Sequence, residues 1–322
     1  MRYPVRALPF RSPLLAALIV AGLLAANSAA ATDIDDRFQP YHAGGGSGTF
    51  KAVSSDALKG VMTVWSEDYA DLNPGIRISV ESATSSKAAE ELASGDADLA
   101  PMTRQMTWDE KSAFQRRHGY APLEIRIGVE AVAFFVNKDN PVSCLPLARI
   151  GKLFSGASLS WGDLGLTGAW ASRAPAVFAR NADADISTYV DEVALSKQGL
   201  GGGVKQEQLS SAVVHAIAGD TSAIGYASAG YRISGVKPIA VSGVDGACLM
   251  PNERNAYART YPLAHFLYLY ADRNPSGDKN RPLADFMAYT LSLDGQKTIV
   301  YAGYFPPPYV YVNEDLGKLG SR

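Results

Sequence analysis

Cysteine is nearly absent from this chain: two, Cys144 and Cys248, occur in 322 residues. Neither lies in a CxxC or Cys/His spacing, so a thiolate metal site has no support. Histidine is scarce too. The four, His42, His118, His215 and His265, stand in unrelated contexts. His215, on a mostly apolar helical face, reads as structural rather than catalytic. No GxSxG elbow, HExxH, P-loop or GxGxxG occurs, and no carboxylate pair stands out as an acid/base couple. The sequence therefore points away from an enzyme, and no cofactor or metal is expected. An excess of one charge is also missing, with 30 Lys and Arg against 32 Asp and Glu. Nothing is basic enough to make nucleic acid a partner. No interior apolar run is long enough to span a membrane.

What is there begins with an export pattern. Arg2, Arg6 and Arg11 precede a short apolar run over residues 14–26, and Asn27-Ser28-Ala29-Ala30-Ala31 supplies small residues for cleavage. Residues 1–31 thus read as a signal peptide, placing the mature protein in the periplasm or secreted. No Cys follows the apolar run, so a lipid anchor is not expected. In that compartment Cys144 and Cys248 either pair or remain two isolated structural thiols, with pairing favoured. The remaining composition fits a soluble globular chain of one large or two medium domains.

Residues 76–106, IRISVESATSSKAAEELASGDADLAPMTRQM, organise the rest. Ile76, Ser79 and Val80 read as a short buried strand, Thr84-Ser85-Ser86 as a turn, and residues 87–94 as a helix stopped by Gly95. Residues 96–100 form a second strand closing on Thr103 and Arg104. Strand, hydroxyl-rich turn, helix and strand make a βαβ crossover. Its turn offers hydroxyls and helix-start N–H groups to an anion, and the second strand delivers Thr103 and Arg104 to the same edge.

Residues 32–48 are polar and Gly-rich and read as a flexible lead-in. A strand over residues 49–53 runs into Ser54-Ser55-Asp56, and residues 57–72 repeat apolar positions at helical spacing (Leu58, Val61, Met62, Trp65, Tyr69). Ser54, Ser55 or Asp56 is the candidate N-cap, either for that purpose alone or also facing a ligand. A polar helix follows over residues 107–118. Residues 122–136 give two strand-like runs, the second nearly all apolar and so central. Residues 147–154 are helical, and Trp161 reads as packing. A strand at residues 176–179 ends in Arg180-Asn181, with a helix over residues 188–195. Gly199 to Gly203 reads as a mobile loop. A helix at 211–218, strands at 222–226, 238–241 and 261–270, a Pro275-Ser276-Gly277 turn and helices at 283–293 and 295–301 complete the pattern. Residues 304–309 read as a rigid surface end.

Several of these segments, taken together, resemble the phosphate-binding proteins of bacterial ABC importers. The resemblance covers about residues 49–308. It is carried by Asp96-Ala97-Asp98-Leu99-Ala100-Pro101-Met102-Thr103-Arg104-Gln105-Met106, by Phe134-Phe135-Val136-Asn137-Lys138-Asp139-Asn140-Pro141, and by Arg180-Asn181. Ala223-Ile224-Gly225-Tyr226 and Tyr261-Pro262-Leu263-Ala264 also match. It implies an α/β, two-lobe type II periplasmic binding protein fold, with mixed sheets flanked by helices and a ligand cleft between the lobes. Residues 49–136 and 262–322 would form lobe 1 and residues 137–261 lobe 2. The resemblance implies oxyanion contacts at four turns: Ser55, Ala57 and Leu58; Ser85 and Ser86; Thr103 and Arg104; and Arg180, Asn181 and Ser187.

The fourth turn departs from the family pattern. Where the family has Ser-Gly-Thr, this chain has Ala184-Asp185-Ile186, and only a two-residue shift restores Ser187-Thr188. A carboxylate beside a phosphate dianion costs affinity unless it accepts a proton or a hydroxyl hydrogen. The resemblance implies an exported monomer that captures a small oxyanion, phosphate above others, for an ABC importer permease, with no membrane span after cleavage. The rivals are a diverged relative that binds another ligand or none and acts in sensing or envelope interaction, and an exported phosphate-ester hydrolase.

Overall fold

The computed structural model describes residues 34–231, 233–243, 245–274 and 280–320. The expected signal peptide and the Pro275-Ser276-Gly277 turn fall outside these residues. The chain runs β1 (Gly48–Ser55), α1 (Lys59–Leu72), β2 (Ile76–Ala83), α2 (Ser85–Ser94), β3 (Leu99–Met102), α3 (Trp108–His118), β4 (Leu123–Asn137), β5 (Cys144–Pro146) and α4 (Leu147–Phe154). It continues with β6 (Ala176–Arg180), α5 (Asp185–Ala194), β7 (Lys205–Glu207), α6 (Ser210–Gly219), β8 (Ala223–Ser228), β9 (Val236–Pro238), β10 (Ala240–Ser242), β11 (Cys248–Leu249) and α7 (Glu253–Tyr257). Last come β12 (Ala264–Ala271), α8 (Asn280–Thr290), α9 (Leu293–Tyr301) and α10 (Tyr309–Leu319).

Among the described residues, the main sheet has the order β2-β1-β3-β12-β4-β8-β6-β7, with β9 beside β4. Its axis is β4. The expected pair of strands over residues 122–136 is one continuous strand, whose pairing with β12 shifts register once, at Ile127–Gly128 opposite Leu267 and Tyr268. Its first half pairs antiparallel with β12, and its second half with β8 and β9. The apolar core changes hands along it: Ile125 and Ile127 pack with Trp65, Tyr69 and Phe286, whereas Val129 to Val136 pack with Phe154, Trp161 and Tyr226. The changeover between these two apolar clusters therefore lies inside the strand, between Ile127 and Val129.

β1 and β2 pair in parallel from Gly48↔Ile76 to Ser55↔Ala83. Both strands therefore end at one edge, and the turns that follow them are neighbours. β2 is an edge strand with alternate residues exposed, not the buried strand expected. Gly95 ends α2 in the left-handed conformation, φ 81°, with its N–H returned to the carbonyls of Glu91 and Leu92, as a glycine stop should.

Three more expectations change. The lead-in is pinned: Phe38 is buried, the Tyr41 hydroxyl bonds Asp285, and the Tyr41 N–H donates to Asp294 at 3.0 Å. His215 faces solvent instead of the apolar side of α6. The C-terminal end is not a surface segment: Tyr304 and Phe305 are buried, and Phe305 exchanges backbone hydrogen bonds with Val129. Pro308 opens α10 rather than ending the fold, because a proline at a helix start loses no intrahelical bond.

Cys144 and Cys248 are bonded, with Cα atoms 6.0 Å apart, and tie β5 to β11 beside β10. α10 is held by a buried ion pair. Asp315, fully buried, accepts from the Arg126 Nε at 2.9 Å, Nη2 at 2.8 Å and backbone N–H at 2.8 Å, with Lys318 Nζ at 2.6 Å. Burial alone would raise the Asp315 pKa, but the hydrogen bonds from Arg126 and Lys318 outweigh it and hold it below the usual carboxylate value. A depressed native pKa contributes stability above about pH 4 that is lost as pH falls through the native value. Replacing Asp315 by Asn should cost about 3 kcal/mol in urea unfolding at pH 7. The gap from the parent should shrink steadily below about pH 4.

Candidate oxyanion site

The edge where β1 and β2 end carries the site. Thr84 caps α2, its side chain accepting from the Lys87 N–H at 3.3 Å, so the N–H of Ser85 points out of the helix start. Ser55 and Ser85 are both fully buried. Ser55 Oγ, Ser85 Oγ and Ser85 N converge on a single atom, Oδ2 of Asp185, at 2.6, 2.7 and 2.9 Å. The Ser85 N–H also reaches Oδ1 at 3.1 Å. Thr103 supports the array from behind: its N–H donates to Ser85 Oγ at 3.1 Å, and the two hydroxyls lie 3.2 Å apart. Short bonds from hydroxyls and an amide onto one ionised oxygen are the donor pattern of an oxyanion site. Here the oxyanion is the chain's own carboxylate, carried on the first turn of α5.

A second contact crosses the same cleft in the opposite sense. Arg180, at the end of β6, gives Nη2 to Asp56 at 2.6 Å and Nη1 to Ser210 Oγ at 3.3 Å. Its Nε is buried without an acceptor. Arg104 sits at the rim, where Glu110 takes both terminal nitrogens at 2.8 and 2.7 Å and Ser86 Oγ takes Nη2 at 2.8 Å. The hydrogen bonds that Arg104 donates to Glu110 raise its pKa, and the charge of Asp185 adds to the effect. Beside the cradle lies a cavity of about 140 Å³, bordered by Arg104, Asp183, Asp185, Thr188, Tyr189 and Glu192.

Residues 39–294 match the PBP superfamily domain. The chain is 38% identical to the phosphate-binding protein PstS of Pseudomonas aeruginosa, over 95% of this chain and 98% of that one. The chain belongs to the PBP superfamily. Its fold is the α/β two-lobe architecture of an ABC-type phosphate transport receptor from Vibrio cholerae (TM-score 0.67, 21% identity, 80% of this chain and 100% of that one). A phosphate ABC transporter substrate-binding protein from Clostridium perfringens, solved with bound phosphate, gives a TM-score of 0.66 at 19% identity, over 81% of this chain and 100% of that one.

Within this superfamily member the expected site residues divide. Ser55, Ser85 and Thr103 come together, and Arg180 faces them across the cleft beside Asp56. Ser86 and Arg104 meet at the rim. Leu58 points into the core: its side chain is fully buried there and its N–H closes a turn on the Ser55 carbonyl at 3.0 Å. It is also the N-cap of α1 without any side-chain cap, so none of Ser54, Ser55 or Asp56 has the capping role expected of it. The carbonyl of Ala57 takes the Tyr304 hydroxyl at 3.1 Å. Asn181 gives its N–H to the Glu207 carbonyl at 3.1 Å. Ser187 turns inward, its hydroxyl 3.0 Å from the Arg180 carbonyl and 2.7 Å from the Tyr226 hydroxyl. Burial pushes the Tyr226 phenol up to about 12, so it stays protonated there. The helix begins at Asp185, three residues before the expected Thr188, which puts the carboxylate and not Ser187 at the cleft.

Asp56 and Ser210 were not expected as partners of Arg180. Ser210 carries one weak signal, a hydroxyl at a helix start; Asp56 reads in sequence as one of three candidate caps. Ser85→Ala removes one bond to Asp185 and the acceptor of the Thr103 N–H. It should lower stability in chemical denaturation by about 2 kcal/mol, because a buried amide is left unpaired.

Proposed function

We propose that this chain captures a small oxyanion, inorganic phosphate before others, in the cleft between its two lobes, and presents it to an ABC importer permease. The observation that carries the reading is the convergence of Ser55 Oγ, Ser85 Oγ and Ser85 N on one anionic oxygen, opposite Arg180. The relatives named above, phosphate-binding and phosphate-transport proteins, supply the identity of the anion. On this reading Ser55, Ser85, Thr103 and Arg180 hold the ligand, and Ser86 and Arg104 guard the rim. Lobe 1 takes residues 49–136 and 262–322, adjusted for the core change within β4, and lobe 2 the segment between. The protein is exported, works as a monomer and turns nothing over. Among the described residues no helix is long and apolar enough to cross a membrane.

A second reading is favoured by one specific observation, the carboxylate of Asp185 seated where the anion should lie. It is a diverged binder with a different solute, serving sensing or envelope interaction. Calorimetric titration of the mature protein separates the two. Phosphate at 100 times its Kd should stabilise the protein by about 2.7 kcal/mol and raise Tm accordingly. Arg180→Ala should weaken phosphate by at least about 30-fold, since a partly buried charge loses its partner. No heat and no Tm shift with phosphate, but a shift with sulfate, molybdate or an organic anion, would favour the second reading.

A further inference from the structure

We propose that Asp185 is a tethered internal anion: it fills the cradle and holds the lobes together when no solute is bound, and an incoming oxyanion must expel it. The proposal rests on the oxyanion reading of the cleft and adds the residue that sets its affinity. Oδ2 of Asp185 already receives three donors, at 2.6, 2.7 and 2.9 Å. That set leaves no room for a second oxygen at the same point. These lengths are those of charge-assisted bonds, and the donors belong to β1 and α2 while the acceptor belongs to α5. The contact is therefore a link across the cleft.

The link is reciprocal. Asp56, next to the cradle serine Ser55, satisfies Arg180 beyond the cleft at 2.6 Å. Each side thus inserts a carboxylate into the other's anion-binding group, and the two charges a ligand would bring are supplied from within. A tethered group acts at an effective concentration that a free competitor must exceed, so the apparent affinity for any solute falls in proportion to the time Asp185 spends in the cradle. The cavity of about 140 Å³ beside the cradle, bordered by Asp185 itself together with Thr188 and Tyr189, is the space into which the carboxylate can swing. Arg180 Nε, buried and without an acceptor, is a donor that the internal arrangement leaves unused and that an oxyanion with more oxygens can take.

The test uses the full mature chain labelled at Glu90→Cys on α2 and Gln198→Cys after α5. Both positions are exposed, and the native cysteines are bonded to each other. Label distance and phosphate calorimetry are read in the parent, in Asp185→Asn and in Ser55→Ala. In phosphate-free buffer the parent should show the short distance, and both variants a longer one. Asp185→Asn should bind phosphate about tenfold more tightly than the parent, because the competing charge is gone. Ser55→Ala, which loses a cradle donor, should bind it more weakly. A label distance unchanged by Asp185→Asn overturns the proposal. So does phosphate binding by both proteins with Asp185→Asn no tighter than the parent. A distance that responds to Asp185→Asn while neither protein takes phosphate retains the internal anion and removes phosphate as the solute.

Discussion

A helix that starts inside a closed cleft leaves its first amide out of reach of water, and a negative group has to meet it. Ser85 N, at the beginning of α2, is that amide, and most of the cleft follows from its need. The hydroxyls of Ser85 and Ser55 are drawn to the same oxygen, Thr103 braces Ser85 from behind, and α5 is brought across the gap to deliver Asp185. An unpaired buried amide costs about 1–3 kcal/mol, more if charge is involved. The two halves of the molecule thus have a local reason to close on an anion whichever anion is present.

The scaffold that makes this geometry possible is the parallel pair β1 and β2. Their register brings the Ser55 turn and the Ser85 turn to one edge, where ligands of open α/β sheets gather. The long central strand β4 then carries the chain from one core to the other without a break, so the two cores share a sheet while each keeps its own apolar filling. The changeover from one apolar cluster to the other lies along β4 and β12.

Much of the fold was legible from periodicity. The helices with clear apolar spacing, α1, α2, α4 and α6, and the glycine stop after α2 are where the pattern puts them, to within a few residues. Three features were not. β4 reads in sequence as two strand-like runs because its apolar content rises after Gly128, whereas one strand carries both. The lead-in looked loose because its anchors, Phe38 and Tyr41, meet partners some 250 residues away in sequence, which local reading cannot see. α10 was missed because proline stops a helix from inside but starts one from its first turn. At the site, hydroxyl-rich turns before helices mark Ser55 and Ser85 in the sequence, and the two hydroxyls meet on Asp185. The role of Asp185 was visible only as an intrusive charge in a loop, since which oxygen fills a cradle depends on tertiary approach, not on spacing. Ser187, with its hydroxyl in the right sequence neighbourhood, lost its place because α5 begins earlier and turns it towards Tyr226.

The most direct measurement is a crystal structure of the protein soaked or grown with phosphate. The account requires the phosphorus to lie between Ser55, Ser85 and Arg180, with the Asp185 carboxylate moved out of the cradle and Nε of Arg180 bonded to the ligand. Phosphate held elsewhere on the surface, with Asp185 still gripped by both serines, would contradict it.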